Sequence, residues 1–133
     1  MKKLYKPTFP KNGLTLIELT VVISIILVML STVLISVTAY RDWQEGIEAG
    51  ETLKGVYQAQ RLFLADNPTT NVGTITNADI IPYLPDSFGG VMPTVTGLDG
   101  VVYAITVNVS PPIITGYTDP SGSTDDGQWD AGK

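Results

Sequence analysis

A single carboxylate, Glu18, interrupts a run from Leu14 to Tyr40 that otherwise holds no charge, no proline and no glycine. A carboxylate inside an apolar span costs about 2.5–3.5 kcal/mol on membrane-insertion scales, so such a residue normally has a partner. The nearest basic residues in sequence are Lys11 and Arg41, and neither lies one helical turn away. We therefore expect the partner to come from elsewhere, and a free α-amine made by cutting the chain upstream is the best candidate.

The bond between Gly13 and Leu14 is the expected position of that cut. Gly13 is a small residue, it follows a basic leader, and it lies just before the apolar run begins. The leader, residues 1–13, is polar and is broken by Pro7 and Pro10. Its positive charges are Lys2, Lys3, Lys6 and Lys11.

The apolar run is long enough to cross a membrane, because a helix needs about 20 such residues to span the hydrocarbon core. The lysines precede the run and no cluster follows it, which predicts a cytoplasmic N-terminus. A secretory signal peptide and a plain single-pass anchor are the two alternatives. The run is longer than the apolar core of a signal peptide, Thr38-Ala39-Tyr40 is a poor cleavage site, and neither alternative explains Glu18.

The segment Lys11-Asn12-Gly13-Leu14-Thr15-Leu16-Ile17-Glu18-Leu19 resembles the N-terminal signal of type IV pilins and type II secretion pseudopilins. The resemblance covers about residues 1–60. It implies that a prepilin peptidase cuts after Gly13 and N-methylates Leu14. It also implies that Glu18 is the assembly residue, which pairs with the terminal amine on Leu14 of a neighbouring subunit. Leu14 stands where most members have Phe, and Ile35 stands where many have a helix-kinking proline, so a straighter helix is expected.

Helical periodicity continues beyond Tyr40 and stops at Asp66-Asn67-Pro68, which predicts one helix from residue 14 to 66. Three glycines in its second half mark either flexibility or close packing between subunits, and they are Gly46, Gly50 and Gly55. One apolar stripe is expected to face the rest of the domain. It contains Ile47, Leu53, Val56, Tyr57, Gln60, Phe63 and Leu64.

The remaining residues predict a small antiparallel sheet, with strands at 101–109 and 113–117 and a weaker one at 91–95. Residues 79–85 predict a short helical turn. The expected fold class is therefore α+β, with a long N-terminal helix packed on a small sheet, as in type IV pilins. The expected organisation is a cleaved leader (1–13), a transmembrane or filament-core helix (14–40), its amphipathic continuation (41–66) and a globular domain (67–133).

The C-terminal segment is acidic and rich in glycine. Its four aspartates suggest calcium, which prefers carboxylate oxygens and which some pseudopilins bind near this end, but no EF-hand pattern is present. We favour a solvated acidic loop and assign no metal site. Trp129 either anchors this segment by packing on the sheet or is exposed. The aspartates are Asp119, Asp125, Asp126 and Asp130.

Several classes of function are excluded by composition. The sequence holds no cysteine and no histidine, so disulfides, thiol nucleophiles, His-based zinc sites and Ser-His-Asp triads are absent. No phosphate-binding glycine motif is present, and we expect no catalytic residues and no cofactor. Beyond Gly13, four basic residues face thirteen acidic ones, a formal charge of −9 that would repel nucleic acid.

The expected function is that of a structural subunit that polymerises into a type IV pilus-like filament. The alternatives are a pseudopilin of a type II secretion system and a membrane-tethered binding module that never polymerises. The expected partners are copies of the chain, other pilins, the prepilin peptidase, an inner-membrane assembly platform and, before assembly, lipid. The expected location is the inner membrane first, and then a cell-surface filament or periplasmic pseudopilus.

Overall fold

The structure is a computed structural model that describes residues 13–132. The predicted leader up to Asn12, with its four lysines, lies outside the described residues, and so does Lys133. The chain forms two compact units, of which the first ends at Val37 and the second begins at Thr38. One helix, α1 (Leu16–Asp66), contributes to both units.

Helix α1 starts two residues later than the sequence predicts and ends where it predicts. Its first backbone hydrogen bond is accepted by the carbonyl of Thr15 from the N–H of Leu19, at 3.1 Å. At its end, both the backbone N–H and the side-chain amide of Asn67 donate to the carbonyl of Phe63, at 2.9 and 3.0 Å. Pro68 follows and has no N–H with which to continue the helix.

The part of α1 in the first unit is apolar on every side and exposed along its whole length. Its most apolar stretch of 18 residues has a mean hydropathy of 2.7, and none of that stretch is buried. A helix that is hydrophobic all round requires an apolar environment. By length and composition, this helix could cross a membrane.

In the second unit one face of α1 is buried, and its centre is shifted from the predicted stripe. Leu53, Val56 and Gln60 are buried as expected, whereas Ile47 is only half-buried. Small residues replace it at the start of the buried face, where the C-terminal segment comes close to the helix backbone. The complete face consists of Gly46, Ala49, Gly50, Leu53, Val56, Ala59 and Gln60.

A connecting region of short helical turns follows α1. The predicted turn at residues 79–85 is found as α2 (Asn77–Ile80) followed by a 3₁₀ turn (Ile81–Tyr83). The carboxylate of Asp79 accepts hydrogen bonds from the hydroxyl and the N–H of Thr76, which lower the pKa of Asp79. Two further 3₁₀ turns lie at Val72–Thr74 and Asp86–Phe88.

Two small antiparallel ladders replace the single predicted sheet. Strand β1 (Val95–Thr96) pairs with β2 (Val102–Tyr103), and β3 (Ile105–Thr106) pairs with β4 (Ile113–Ile114). The long strand predicted at residues 101–109 is therefore wrong in extent. Its last carbonyls, those of Val107 and Val109, each accept a hydrogen bond of 2.7 Å from the buried amide of Gln60. A helix side chain thus occupies the groups that a neighbouring strand would use.

The α+β layout predicted from the sequence, a long N-terminal helix with small antiparallel sheets, is confirmed. The core of the second unit joins the buried face of α1 to residues from the ladders and from the C-terminal segment. It contains Ala49, Leu53, Val56, Ala59, Ile75, Ile80, Val95, Ile105, Val107, Ile114, Trp129 and Ala131.

Candidate functional site

Gly13 and Leu14 lie in a non-helical segment just ahead of α1, and both are exposed. A Cβ atom added to Gly13 would meet no atom within 4 Å. Nothing in the described fold therefore requires glycine at this position.

Glu18 lies in the first turn of α1 and forms a reciprocal contact with Thr15. The N–H and the hydroxyl of Thr15 both donate to Oε2 of Glu18, at 3.2 and 3.1 Å. The N–H of Glu18 donates in turn to Oγ1 of Thr15 at 3.3 Å. This is a capping box, in which a threonine and a glutamate three residues apart satisfy each other's free N–H groups at a helix start.

The capping box is a local partner for Glu18 that our sequence argument missed. From the sequence we considered only basic residues within one turn of the carboxylate. The pattern Thr-x-x-Glu ahead of an apolar run was the available signal. Both side-chain bonds engage Oε2, which leaves Oε1 free to accept from a second donor, and no described basic residue pairs with the carboxylate.

Five hydroxyl groups further along the apolar run, those of Thr20, Ser24, Ser31, Thr32 and Ser36, donate to carbonyls of the same helix. Thr20, Ser24 and Ser31 donate to the carbonyls of Ile17, Thr20 and Leu27, at 2.8, 2.7 and 2.8 Å. Ser36 donates to the carbonyl of Thr32 at 3.1 Å. Such bonds leave these hydroxyls with little demand for an external partner. Unlike these hydroxyls, Glu18 carries a charge and has one carboxylate oxygen, Oε1, without a hydrogen-bond partner among the described residues.

The acidic C-terminal segment is the second candidate site, and its aspartates are held mainly by local turns. Asp119, Asp126 and Asp130 each accept the N–H of the residue two positions later. Among residues 13–132, no three acidic side chains lie close enough together to hold a metal ion. Asp119 and Asp130 nevertheless each keep one buried oxygen without a hydrogen-bond partner.

The same segment is less solvated than expected because it packs on α1. Trp129 is only 5% exposed and lies 5.0 Å from the ring of Tyr117. The backbone N–H of Trp129 donates to the carbonyl of Gly46 at 3.0 Å. A Cβ atom on Gly50 would lie 1.8 Å from the carbonyl oxygen of Gly127. Gly46 and Gly50 therefore permit close packing within the chain, whereas from the sequence we expected flexibility or close packing between subunits.

No protein-family model, curated protein or solved structure matches this chain. A functional assignment must therefore rest on the residues of the N-terminal segment and on their geometry.

Proposed function

We propose that this chain is a type IV pilin-like structural subunit that polymerises through its N-terminal helix into a cell-surface filament. Before assembly it crosses the inner membrane once, with its N-terminus in the cytoplasm. A prepilin peptidase cuts it after Gly13 and N-methylates Leu14. The assembly platform then moves it from lipid into a filament of identical and related subunits.

The proposal rests on the charge, the position and the hydrogen bonding of Glu18. It is the one charge in the apolar part of α1, it lies four residues after Leu14, and it has a free carboxylate oxygen. The capping box explains why a helix start tolerates a glutamate there. It leaves unexplained why the charge precedes a span that is otherwise apolar on every side.

Assembly supplies a reason for the charge. Moving an apolar helix from lipid to a filament core exchanges one apolar environment for another, so the hydrophobic gain is small. A directional contact must therefore set the register of the subunits. Oε1 of Glu18 and the α-amine of a neighbour's Leu14 can form a charge-assisted hydrogen bond in a medium of low dielectric constant. A subunit in the wrong register would leave this charge unpaired, which is strongly unfavourable.

The fold is compatible with the proposal. The second unit contains the other half of α1, with small antiparallel ladders packed on its buried face. This is the arrangement that the pilin resemblance implies, with an apolar helical stem continuing into a globular domain. The exposed apolar surface of the first unit needs to be covered by lipid or by other helices.

The decisive experiment compares two substitutions of Glu18 in cells that make filaments from this chain. Glu18→Gln keeps an acceptor for the capping box but removes the charge, whereas Glu18→Ala removes both. We expect both variants to be processed and inserted normally. We expect filament yield to fall about tenfold or more in both, because breaking a buried ion pair costs about 3–5 kcal/mol.

The two variants separate assembly from capping. If Glu18→Gln forms filaments at the wild-type level while Glu18→Ala does not, Glu18 serves only the helix start, and the ion pair is refuted. Mass spectrometry of the native chain supplies the companion test, since the proposal requires an N-methylated Leu14. A mature chain that still begins at Met1 would support the tethered binding module, which never polymerises. The location of the filament would distinguish a surface pilus from a secretion pseudopilus.

A further inference from the structure

An exposed apolar patch lies at the beginning of the second unit. Two of its members are aromatic residues of α1, Tyr40 and Trp43, whose side chains are 61% and 49% exposed. Their ring centroids are 5.9 Å apart. Tyrosine and tryptophan are enriched where a helix passes from hydrocarbon to water, because they combine an apolar ring with a polar group.

A third member, Leu98, comes from the turn between β1 and β2 and is 40% exposed. The turn is closed by hydrogen bonds of 2.9 Å from Gly97 N–H to the Val101 carbonyl and 2.8 Å from Gly100 N–H to the Gly97 carbonyl. The N–H of Leu98 itself donates to the hydroxyl of Tyr117 at 3.0 Å. The turn is thus held firmly while its leucine side chain faces solvent.

An acidic side chain reinforces the same turn. The carboxylate of Asp99 accepts a hydrogen bond of 2.6 Å from the hydroxyl of Tyr103 and one of 3.0 Å from the N–H of Val101. The tyrosine hydroxyl is the main cause of a lowered pKa at Asp99. Asp99 is therefore ionised at neutral pH, and its two hydrogen bonds hold the turn that carries Leu98.

Leu98 and Trp43 line one groove of about 320 Å³, although they come from different elements. Ala39 and Pro120 add apolar surface to this groove, and Ser121 and Gln128 add hydrogen-bonding groups. Exposed apolar surface with a polar rim is typical of protein or membrane interaction sites. Asp42 also lines the groove, so its rim combines neutral and negatively charged groups and suits a partner that is apolar in one part and polar in another.

We propose that this patch rests on the surface of the lipid bilayer while the subunit is stored in the membrane. The inference depends on the proposed membrane insertion of the first unit. The patch begins at Tyr40, directly after the apolar run and within the same continuous helix. Arg41 and Asp42 offset each other there, and Asp99 adds a negative charge, so the patch has no excess of positive charge to attract anionic lipid. The expected surface is zwitterionic phospholipid, with Leu98 and Trp43 at the level of the headgroups.

The absence of cysteine from the sequence allows a direct test. A nitroxide label is attached at Leu98→Cys, at Leu62→Cys or at Val28→Cys, in the full processed chain reconstituted into phosphatidylcholine vesicles. Power saturation of the label's electron paramagnetic resonance signal then measures how often the label collides with two reagents. One is oxygen, which concentrates in the bilayer, and the other is a nickel chelate, which stays in water. Leu62 is the matched control, because it is an exposed leucine of α1 that lies about 28 Å along the helix from Trp43 at ~1.5 Å per residue.

We expect the ratio of oxygen access to nickel-chelate access to be several-fold higher for the labels at positions 28 and 98 than for the label at position 62. A bilayer signal at 28 with an aqueous signal at 98 would overturn the inference and leave the membrane-inserted subunit intact. An aqueous signal at 28 would refute membrane insertion and the inference with it. Equal bilayer signals at 62 and 98 would also overturn it. So would a label at 98 that is protected from both reagents to an extent that depends on protein density in the vesicle. The last result would assign the patch to a second copy of the chain.

Discussion

Gly50 shows how one residue controls the fit between α1 and the C-terminal segment. Glycine normally weakens a helix interior by up to about 1 kcal/mol relative to alanine. Here a methyl group at that position would lie 1.8 Å from the carbonyl oxygen of Gly127 and 3.1 Å from that of Asp130. Both obstacles are backbone atoms, which cannot rotate away as a side chain can. The helical benefit of alanine is therefore outweighed by the clash.

We predict that Gly50→Ala lowers the free energy of unfolding by about 2–3 kcal/mol, in the range found for overpacked cores. The measurement is denaturant unfolding in detergent micelles, followed by tryptophan fluorescence. Gly55→Ala is the control, because its added methyl group would meet only the ring edge of Phe88, at 2.9 Å. That ring can shift, so we expect a change near zero. A Gly50→Ala chain as stable as the wild type would show that the C-terminal segment does not pack on α1.

At the scale of elements, Gln60 is the side chain that ties α1 to the polypeptide after β3. It is fully buried, and its amide donates to the carbonyls of Val107 and Val109. These two bonds satisfy backbone groups that have no strand partner at that point. A buried carbonyl left without a donor costs about 1–3 kcal/mol.

We predict that Gln60→Met, which keeps the length of the side chain but removes its donors, destabilises the second unit by about 2 kcal/mol. Gln58→Met on the exposed face of α1 is the matched control, with an expected change within about 0.5 kcal/mol. The same unfolding measurement applies to both. Equal stability of the two variants would mean that the amide of Gln60 has no structural role.

The elements that follow a strong local pattern could be predicted from the sequence, whereas those that depend on long-range contacts could not. The end of α1 is encoded by Asn67-Pro68, and its apolar half is encoded by composition. Beyond β3, the carbonyls of the predicted strand at 101–109 bond to Gln60, which is more than 40 residues earlier in the chain. No local pattern reveals that a helix amide will take the carbonyls of a strand.

The same distinction applies to the candidate site. Gly13, Leu14 and Glu18 lie within six consecutive residues, so their spacing is visible in the sequence. The capping box with Thr15 is equally local, but we did not predict it, because we considered only charged groups and no hydroxyl as partners for Glu18. The burial of Trp129 against Gly46 could not be predicted, since it depends on the course of the C-terminal segment through the fold.

On the scale of the whole molecule, the dominant property is negative charge. Beyond Gly13, thirteen acidic residues face four basic ones. Twelve of those acidic residues lie in the second unit, so neighbouring subunits in a filament would repel each other through their outer surfaces. The repulsion extends over about 30 Å at 0.01 M salt and over about 8 Å at 0.15 M. A contact in a filament core would be screened much less.

We predict that raising the salt concentration from about 0.01 M to about 0.15 M accelerates filament growth by processed subunits several-fold, because it screens only the outer repulsion. Light scattering and electron microscopy would follow the growth. The Glu18→Gln chain is the control and should grow poorly at both concentrations. Slower growth of the wild type at the higher concentration would indicate that attraction between opposite charges on the outer surfaces drives assembly instead.

The packing of Trp129 and Ala131 against α1 also has a consequence for the timing of biosynthesis. These are the last described core residues to leave the ribosome, yet they belong to the C-terminal segment that covers Gly46 and Gly50, which emerge some eighty residues earlier. The second unit therefore cannot complete its core until residues 129–131 have left the ribosome. Until then, one side of its helix stays uncovered. If the chain is inserted in a membrane as proposed, a chaperone on the far side would have its best opportunity to bind during that interval.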